Sequence, residues 1–304
     1  MPAVPEPANG STRERDVGGG TSVADIGGAP VYRGNLEKLM RKVMLDRGLD
    51  LVQYRRTYVE RRLAARLRAL GLSTYRQYSY LLDSDPAEYD RLVNTLTINV
   101  TDFFRDAPVW DILRRRVLPE LIAEKRRGRS RTIRIWSAGC ATGEEPYSLA
   151  MAILDALGDD ADEFLISVIG TDLDPEALAF AARGVYGPDK LERIPRPYQV
   201  RFVNMSGASE FEILPEVKRL VRFTPYNLFE GAPMRVVDLV LCRNVFIYFD
   251  RAQQAKVLEN FWNAMCRGGY LVLGRSEKLS ADASNRFEHV NGKERIYRKP
   301  ARLH

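Results

Sequence analysis

The sequence predicts an α/β protein: a mostly parallel, doubly wound sheet with a C-terminal antiparallel hairpin, preceded by a small all-helical domain and carrying a small inserted β-containing subdomain. Three observations carry this prediction. Beyond residue 131, short β-branched runs alternate with helical stretches, the texture of βα units that stack into a parallel sheet. Before residue 98 only helical periodicity is present. The basic stretch EKRRGRSR (124–131) separates the two textures as a hinge.

The elements follow in order. Residues 1–30 are rich in Pro, Gly and Ser, have no apolar run, and read as a disordered tail. Residues 31–98 form the helical domain, with Gly48, Gly71 and Ser73-Thr74 as stop and start signals; Thr74 with Gln77, and Asp85 with Pro86 and Glu88, have capping spacing. Its middle helix, LVQYRRTYVERRLAARLRAL, sets Val52, Val59, Leu63, Leu67 and Leu70 on one core-facing stripe. Beside that stripe runs a row of Arg55, Arg62 and Arg66, and the only acid between Arg55 and Arg68 is Glu60. A solvated charged face is the plain reading of such a row; a docking face for carboxylates is the alternative, because guanidinium pairs with them in bidentate fashion.

Residues 99–304 supply the sheet. Its strands are TIRIW (132–136), FLISVIG (164–170), VVDLVL (236–241) and YLVLG (270–274), with helices such as PYSLAMAILDAL and DRAQQAKVLENFWNAM between them, the latter capped by Asp250 and Gln253. Residues 188–222 break this rhythm and are expected to form the inserted subdomain. At the end, Asn291-Gly292 between two short runs predicts a hairpin at the sheet edge.

Composition excludes several classes. With 304 residues, 45% of them hydrophobic, the chain can bury one large and one smaller core. A net charge of +6 permits an anionic partner without choosing one. Cys140, Cys242 and Cys266 are far apart and odd in number, which suggests neither a disulfide framework nor a zinc site. Nowhere do about 18 apolar residues run together, so a soluble, cytoplasmic protein without direct membrane insertion is expected.

In doubly wound sheets ligands sit beyond the carboxyl ends of the strands, and the loop after the first strand here reads SAGCATGEEPYS (137–148). It fits neither GxxxxGK[ST] nor GxGxxG. Glu144 and Glu145 at a helix N-terminus would repel phosphate and favour a cationic, phosphate-free ligand. S-adenosylmethionine, with its sulfonium and ammonium, fits. Asp172, at the end of the next strand, is placed to accept from ribose hydroxyls, while Asp174 before Pro175 reads as a helix cap. At the fourth strand, Asn244-Val245-Phe246-Ile247 lacks the Pro-Pro of the usual base amino-methylation tetrapeptide, which counts against a nucleic-acid substrate.

The stretches NVTDFFRD (99–106), WSAGCATGEEPYSLA (136–150), GTDLD (170–174), YNLF (226–229), LCRNVFIYFD (241–250) and GRSE (274–277), in this order, resemble the chemotaxis protein methyltransferases of the CheR type. The resemblance covers everything but the tail. It implies a Rossmann-like methyltransferase sheet and transfer of methyl from S-adenosylmethionine to glutamate side chains of the cytoplasmic domain of methyl-accepting chemoreceptors, leaving S-adenosylhomocysteine and a glutamyl methyl ester. By matching positions, it implies cofactor contacts from Asn99, Thr101, Arg105, Gly139, the pair Glu144 and Glu145 with Glu145 foremost, Asp172, Asn227, Leu228, Arg243 and Asn244. Arg105 and Tyr248 would lie near the transferred methyl, and the arginine row would dock receptor helices, the enzyme acting as a monomer. The family also meets receptors through the insert, in some members by adding a receptor's C-terminal peptide as a strand; the short VNMSGASEFEILPEVKRLVR here leads us to expect a member that docks without it.

The chemistry needs no general base, since a glutamate with pKa of about 4.3 is already ionised at neutral pH. The two histidines, His289 and His304, lie in no motif. A nucleic-acid methyltransferase and a non-catalytic receptor-binding scaffold are the rival readings. The absent Pro-Pro motif weighs against the first, and the intact acid loop, Asp172 and CRN segment against the second.

Overall fold

The structure, a computed structural model, describes residues 36–47, 49–96, 101–128, 130–207 and 209–301. The expected tail over residues 1–30 and the cofactor candidate Asn99 lie outside them.

Helices α1 (Leu36–Arg47), α2 (Arg56–Ala69), α3 (Tyr75–Ser84) and α4 (Pro86–Leu96) make up the first region. Thr74 and Gln77 close a reciprocal capping box on α3, and Asp85 accepts from the backbone of Ala87 and Glu88 at the head of α4. Helix α2 is shorter than its periodicity predicts. A 3-10 turn at Leu51–Gln53, capped by Asp50, precedes it and shifts the register. Leu51 is therefore buried, whereas Val52, expected in the stripe, is 70% exposed. Val59, Leu63 and Leu67 do line the core, and Leu70 is half-buried.

Helices α5 (Ala107–Ile112) and α6 (Leu118–Arg127) are joined through a π-helical turn at Leu113–Val117. Much of the expected basic hinge is thus helix: Lys125, Arg126 and Arg127 occupy the last turn of α6, where cations complement the helix dipole. Trp110, Leu113, Val117 and Leu121 are buried at spacings of three and four, so a helical stripe precedes the sheet here as well.

The remaining elements are β1 (Thr132–Ala138), α7 (Glu144–Leu157), β2 (Leu165–Asp172), α8 (Pro175–Arg183), β3 (Val185–Tyr186), α9 (Pro188–Leu191), α10 (Arg196–Phe202), β4 (Val203–Ser206), β5 (Glu210–Ile213), α11 (Pro215–Lys218), β6 (Val221–Pro225), β7 (Val237–Cys242), α12 (Arg251–Ala264), β8 (Met265–Leu273), α13 (Ala281–Ser284), β9 (Glu288–Asn291) and β10 (Ile296–Arg298). The main sheet runs β6, β2, β1, β7, β8, β10, β9. Its first five strands are parallel, and β10 is antiparallel to both neighbours. Strand order reverses between β1 and β7, the switch point at which such sheets bind ligands.

Alternation feeds two cores. Leu239 and Leu241 of β7 pack on one face with Ile133 and Ile135 of β1 and Leu149 and Ile153 of α7. Val240 and Cys242 pack on the other with Val257 and Phe261 of α12. The C-terminal hairpin forms, but not through a two-residue Asn-Gly turn. The strands end at Asn291 and restart at Ile296; Asn291 Oδ1 accepts from the Glu294 backbone (2.9 Å), and Arg295 takes the left-handed conformation (φ 54°). Strands β3, β5 and β4 form a separate antiparallel sheet between α8 and β6. This sheet opens at Val185, before the expected break, and β6 at the far end belongs to the main sheet. Among the described residues no helix is long and apolar enough to cross a membrane.

Candidate active site

Beyond the carboxyl ends of β1, β2 and β7 lies a cavity of about 170 Å³. Ten of the sequence-derived candidates line it: Thr101, Arg105, Gly139, Glu145, Asp172, Asn227, Leu228, Arg243, Asn244 and Tyr248. Glu144 and the arginines of α2 do not.

The glycine loop is shaped by its own packing. Gly139 has φ 78°, and a Cβ there would come within 2.5 Å of a Val245 methyl. Gly143 has φ 91° as the residue before α7, and a Cβ would meet Ala181 at 2.6 Å and Phe223 at 2.9 Å. Only Gly139 borders the cavity, so the need for glycine at 143 comes from protein neighbours rather than a ligand.

The two glutamates point to different places, as side chains about 100° apart on a helix must. Glu145 accepts from Ser137 Oγ (2.8 Å) and from Arg243 Nη1 (3.4 Å) while facing the cavity. Burial pushes its carboxyl above the ordinary value, against the pull of Arg243 and Ser137. Glu144 is 1% exposed, accepts from Thr142 Oγ1 (2.7 Å) and pairs with Lys190 (3.2 Å). Of the pair, Glu145 lines the cavity and Glu144 is spent inside the protein. Asp172 accepts from the backbone of Ala141 (2.8 Å) and Asp174 (3.1 Å), and burial raises it too. Asp174 caps α8 through the amides of Glu176 and Ala177, as its position before Pro175 suggests. Cys140, Cys242 and Cys266 are free thiols.

Arg243 ties the site together. It pairs with Asp106 (2.6 Å) and Glu145, and donates to the Arg105 carbonyl (2.9 Å). Its Nε and the Oδ1 of Asn244 are buried with no partner among the described residues. Asn244 sits at φ 62°, held by Glu277, which accepts from the backbone amides of Gly274 (2.6 Å), Asn244 (3.0 Å) and Ile247 (3.3 Å). Glu277 was passed over as a functional residue, although it is the acid of the GRSE stretch; its place directly after a strand that ends beside CRN was the signal. Phe104, Asp106 and Ala141 also have positive φ, so four non-glycine residues of the segments around one cavity are strained, as functional sites commonly are.

The helical region reaches the cavity through Leu96 at the end of α4 and through a residue that helical spacing could not reveal. Tyr54 lines it, anchored because the Arg55 backbone donates to the Tyr248 carbonyl (2.8 Å) and Arg55 Nε to the Phe249 carbonyl (2.7 Å). The arginine row thus divides. Arg55 is a clasp, and Arg66 is bound to buried Glu88 through Nε (3.0 Å) and Nη2. Arg62 lies over the Tyr58 ring (5.6 Å), which packs 4.8 Å from the Tyr248 ring, and its Nε is buried with no partner among the described residues. Of the three arginines expected to form a docking row, Arg55 and Arg66 thus hold structural partners, and Arg62 stands beside Tyr248.

Residues 99–296 match the CheR methyltransferase, SAM binding domain, and residues 34–97 the CheR methyltransferase, all-alpha domain. The chain is 36% identical over 240 residues to the chemotaxis protein methyltransferase of Escherichia coli, covering 77% of this chain and 80% of that one. It is 35% identical over 251 residues to the probable chemotaxis protein methyltransferase of Rhizobium etli, covering 81% and 92%. With that of Borreliella burgdorferi it shares 28% identity over 253 residues, covering 82% and 89%. Both regions of the structure are thereby accounted for, and the chain belongs to the CheR family of S-adenosylmethionine-dependent chemotaxis methyltransferases.

Proposed function

We propose that the protein esterifies glutamate side chains on the cytoplasmic helices of a methyl-accepting chemoreceptor, acting as a monomer in the cytoplasm at receptor arrays. The observation that carries this reading is the lining of the cavity: the acids Glu145 and Asp172 together with Arg105 and Tyr248, the charges of Arg105 and Arg62 both acting on the Tyr248 hydroxyl.

The residues fit the cofactor. Glu145 and Asp172 suit its positive charge and ribose, the Asn244 Oδ1, buried with no partner among the described residues, is an acceptor in want of a donor, and Leu228, Phe229 and Val245 offer apolar walls to an adenine. Thr101, Gly139, Asn227 and Arg243 complete the contacts on this reading; Asn99 is proposed from the sequence alone. When bound, the cofactor supplies a methyl group on a positively charged sulfur that a carboxylate oxygen displaces in line. Arg105 holds the attacking carboxylate or that of the cofactor. Burial raises the Tyr248 hydroxyl above its ordinary value, with Arg62 and Arg105 pulling the other way, so it stays a proton donor at neutral pH and orients the attacking oxygen. Alignment of this kind supplies several kcal/mol, roughly 7 to 11 at best, without a base.

The test is incubation with labelled S-adenosylmethionine and a purified receptor cytoplasmic fragment, followed by mild base. Label released as methanol is expected. Label that resists base, or that enters RNA instead, would remove the glutamate from this reading.

A further inference from the structure

Lys190 belongs to the inserted segment, on α9, yet its ammonium is directed at the cofactor domain. It donates to the Thr101 carbonyl and to Asp102 Oδ1 (2.9 Å), and it pairs with Glu144 Oε1 (3.2 Å). Burial lowers its pKa, but Asp102 and Glu144 more than offset this, so the ammonium stays charged. Aromatic residues of the insert grip the same two segments. The Tyr186 hydroxyl donates to the Thr142 carbonyl (2.8 Å), and the Phe103 ring packs edge-on against Tyr186 (4.9 Å) and near Phe211 (6.0 Å). The insert therefore holds both the 101–105 segment and the head of α7. That segment carries left-handed dihedrals at Phe104 (51°) and, just after it, Asp106 (61°), conformations that persist only when their surroundings fix them.

We infer that Lys190 is a positioning residue for the cofactor site: it fastens the inserted sheet to residues 101–105 and to Glu144, and Thr101 and Arg105 face the cavity because that fastening is made. The inference rests on reading 101–105 as a cofactor-contacting segment. It explains why two adjacent glutamates open α7, one turned to the cavity and one to the insert.

The competing explanation is that Lys190 does no more than neutralise a buried carboxylate. Thermal unfolding and calorimetric binding of S-adenosylhomocysteine separate the two on Lys190→Met and on Lys190→Met with Glu144→Gln. Lys190→Met alone strands the buried Glu144 charge, so it unfolds at a lower temperature. The double variant removes that charge and recovers the melting temperature. It is expected to bind the cofactor product about tenfold more weakly than wild type, because the ties to Thr101 and Asp102 are still missing. A double variant that recovers wild-type affinity along with stability would overturn the inference, as would undiminished binding by Lys190→Met. Cofactor affinity is read without any methyl acceptor, so a failed receptor assay and a failed Lys190 assay point to different errors.

Discussion

Glu88 in the helical region and Glu145 at the cavity are both buried carboxylates paired with arginine, and they differ in how far their hydrogen bonds are completed. Glu88 takes donors from Arg66, Tyr78 (2.8 Å) and Arg91 (3.2 Å). Burial pushes it up, but those three donors outweigh burial and leave it below the ordinary carboxylate range. Glu145 has Ser137 and a long contact to Arg243, whose Nε lacks a partner among the described residues, and burial leaves it raised. A structural ion pair is saturated. A binding site keeps capacity for a ligand: Glu145 faces the cavity beside an Arg243 Nε with no partner among the described residues, while burial alone also raises Glu144 and Glu277, which do not line it.

Removing the saturated centre should have the largest effect. Glu88→Ala leaves the half-buried Arg66 guanidinium without its bidentate partner, and we expect a loss of about 3 to 5 kcal/mol in urea unfolding. Glu145→Gln should behave in the opposite way. Arg243 keeps Asp106, so stability at neutral pH is expected to hold or rise, while S-adenosylhomocysteine affinity falls about tenfold and by more than in Glu144→Gln. If Glu88→Ala were the milder change in unfolding, the contrast between the two centres would collapse.

A pH series sharpens the same comparison. Because Glu88 is lowered on folding, the unfolded chain binds more protons there, and its contribution is fully present above the ordinary value of about 4.5. That contribution disappears as pH falls through the lower folded value. Glu145 is raised, so the native state binds the extra proton; its carboxylate costs stability above the folded value, and the cost fades as pH falls toward 4.5. The stability gap between wild type and Glu88→Ala should persist to about pH 4.5 and close below it. Any gap favouring Glu145→Gln should be present at neutral pH and close as pH falls toward 4.5. Equal profiles would show that the two carboxyls do not differ as described.

Legibility in the sequence followed the range of the interactions concerned. Caps at Thr74, Asp174 and Asp250 span two or three residues and were readable with their partners. Four of the five parallel strands were readable, β6 lying hidden at the end of the expected insert, and the cavity-lining segments were readable through the family resemblance together with the convergence of strand ends in such sheets. Val52 misled because a cap at Asp50 inserted a 3-10 turn that periodicity does not register. Tyr54 and Glu277 were missed because each meets the site through a contact made only on folding. The row of Arg55, Arg62 and Arg66 looked uniform because spacing gives the face of a helix and not the neighbours opposite each position: a carbonyl for the first, a tyrosine ring for the second and a carboxylate for the third.

That division changes how the docking idea can be tested. Reversing all three charges would sever Arg66 from Glu88 and Arg55 from Phe249, and the resulting instability would be mistaken for lost docking. Arg62→Glu alone keeps both clasps and alters the charge beside Tyr248. The effect should be the smallest considered, because a single half-solvated charge contributes on the order of 1 kcal/mol or less to an encounter. We expect receptor-fragment methylation to slow by about fivefold or less at low salt, and the difference from wild type to shrink as ionic strength shortens the Debye length. A loss that is the same at all salt concentrations would place Arg62 in the packing around Tyr58 and Tyr248, and no loss at all would take α2 out of receptor docking.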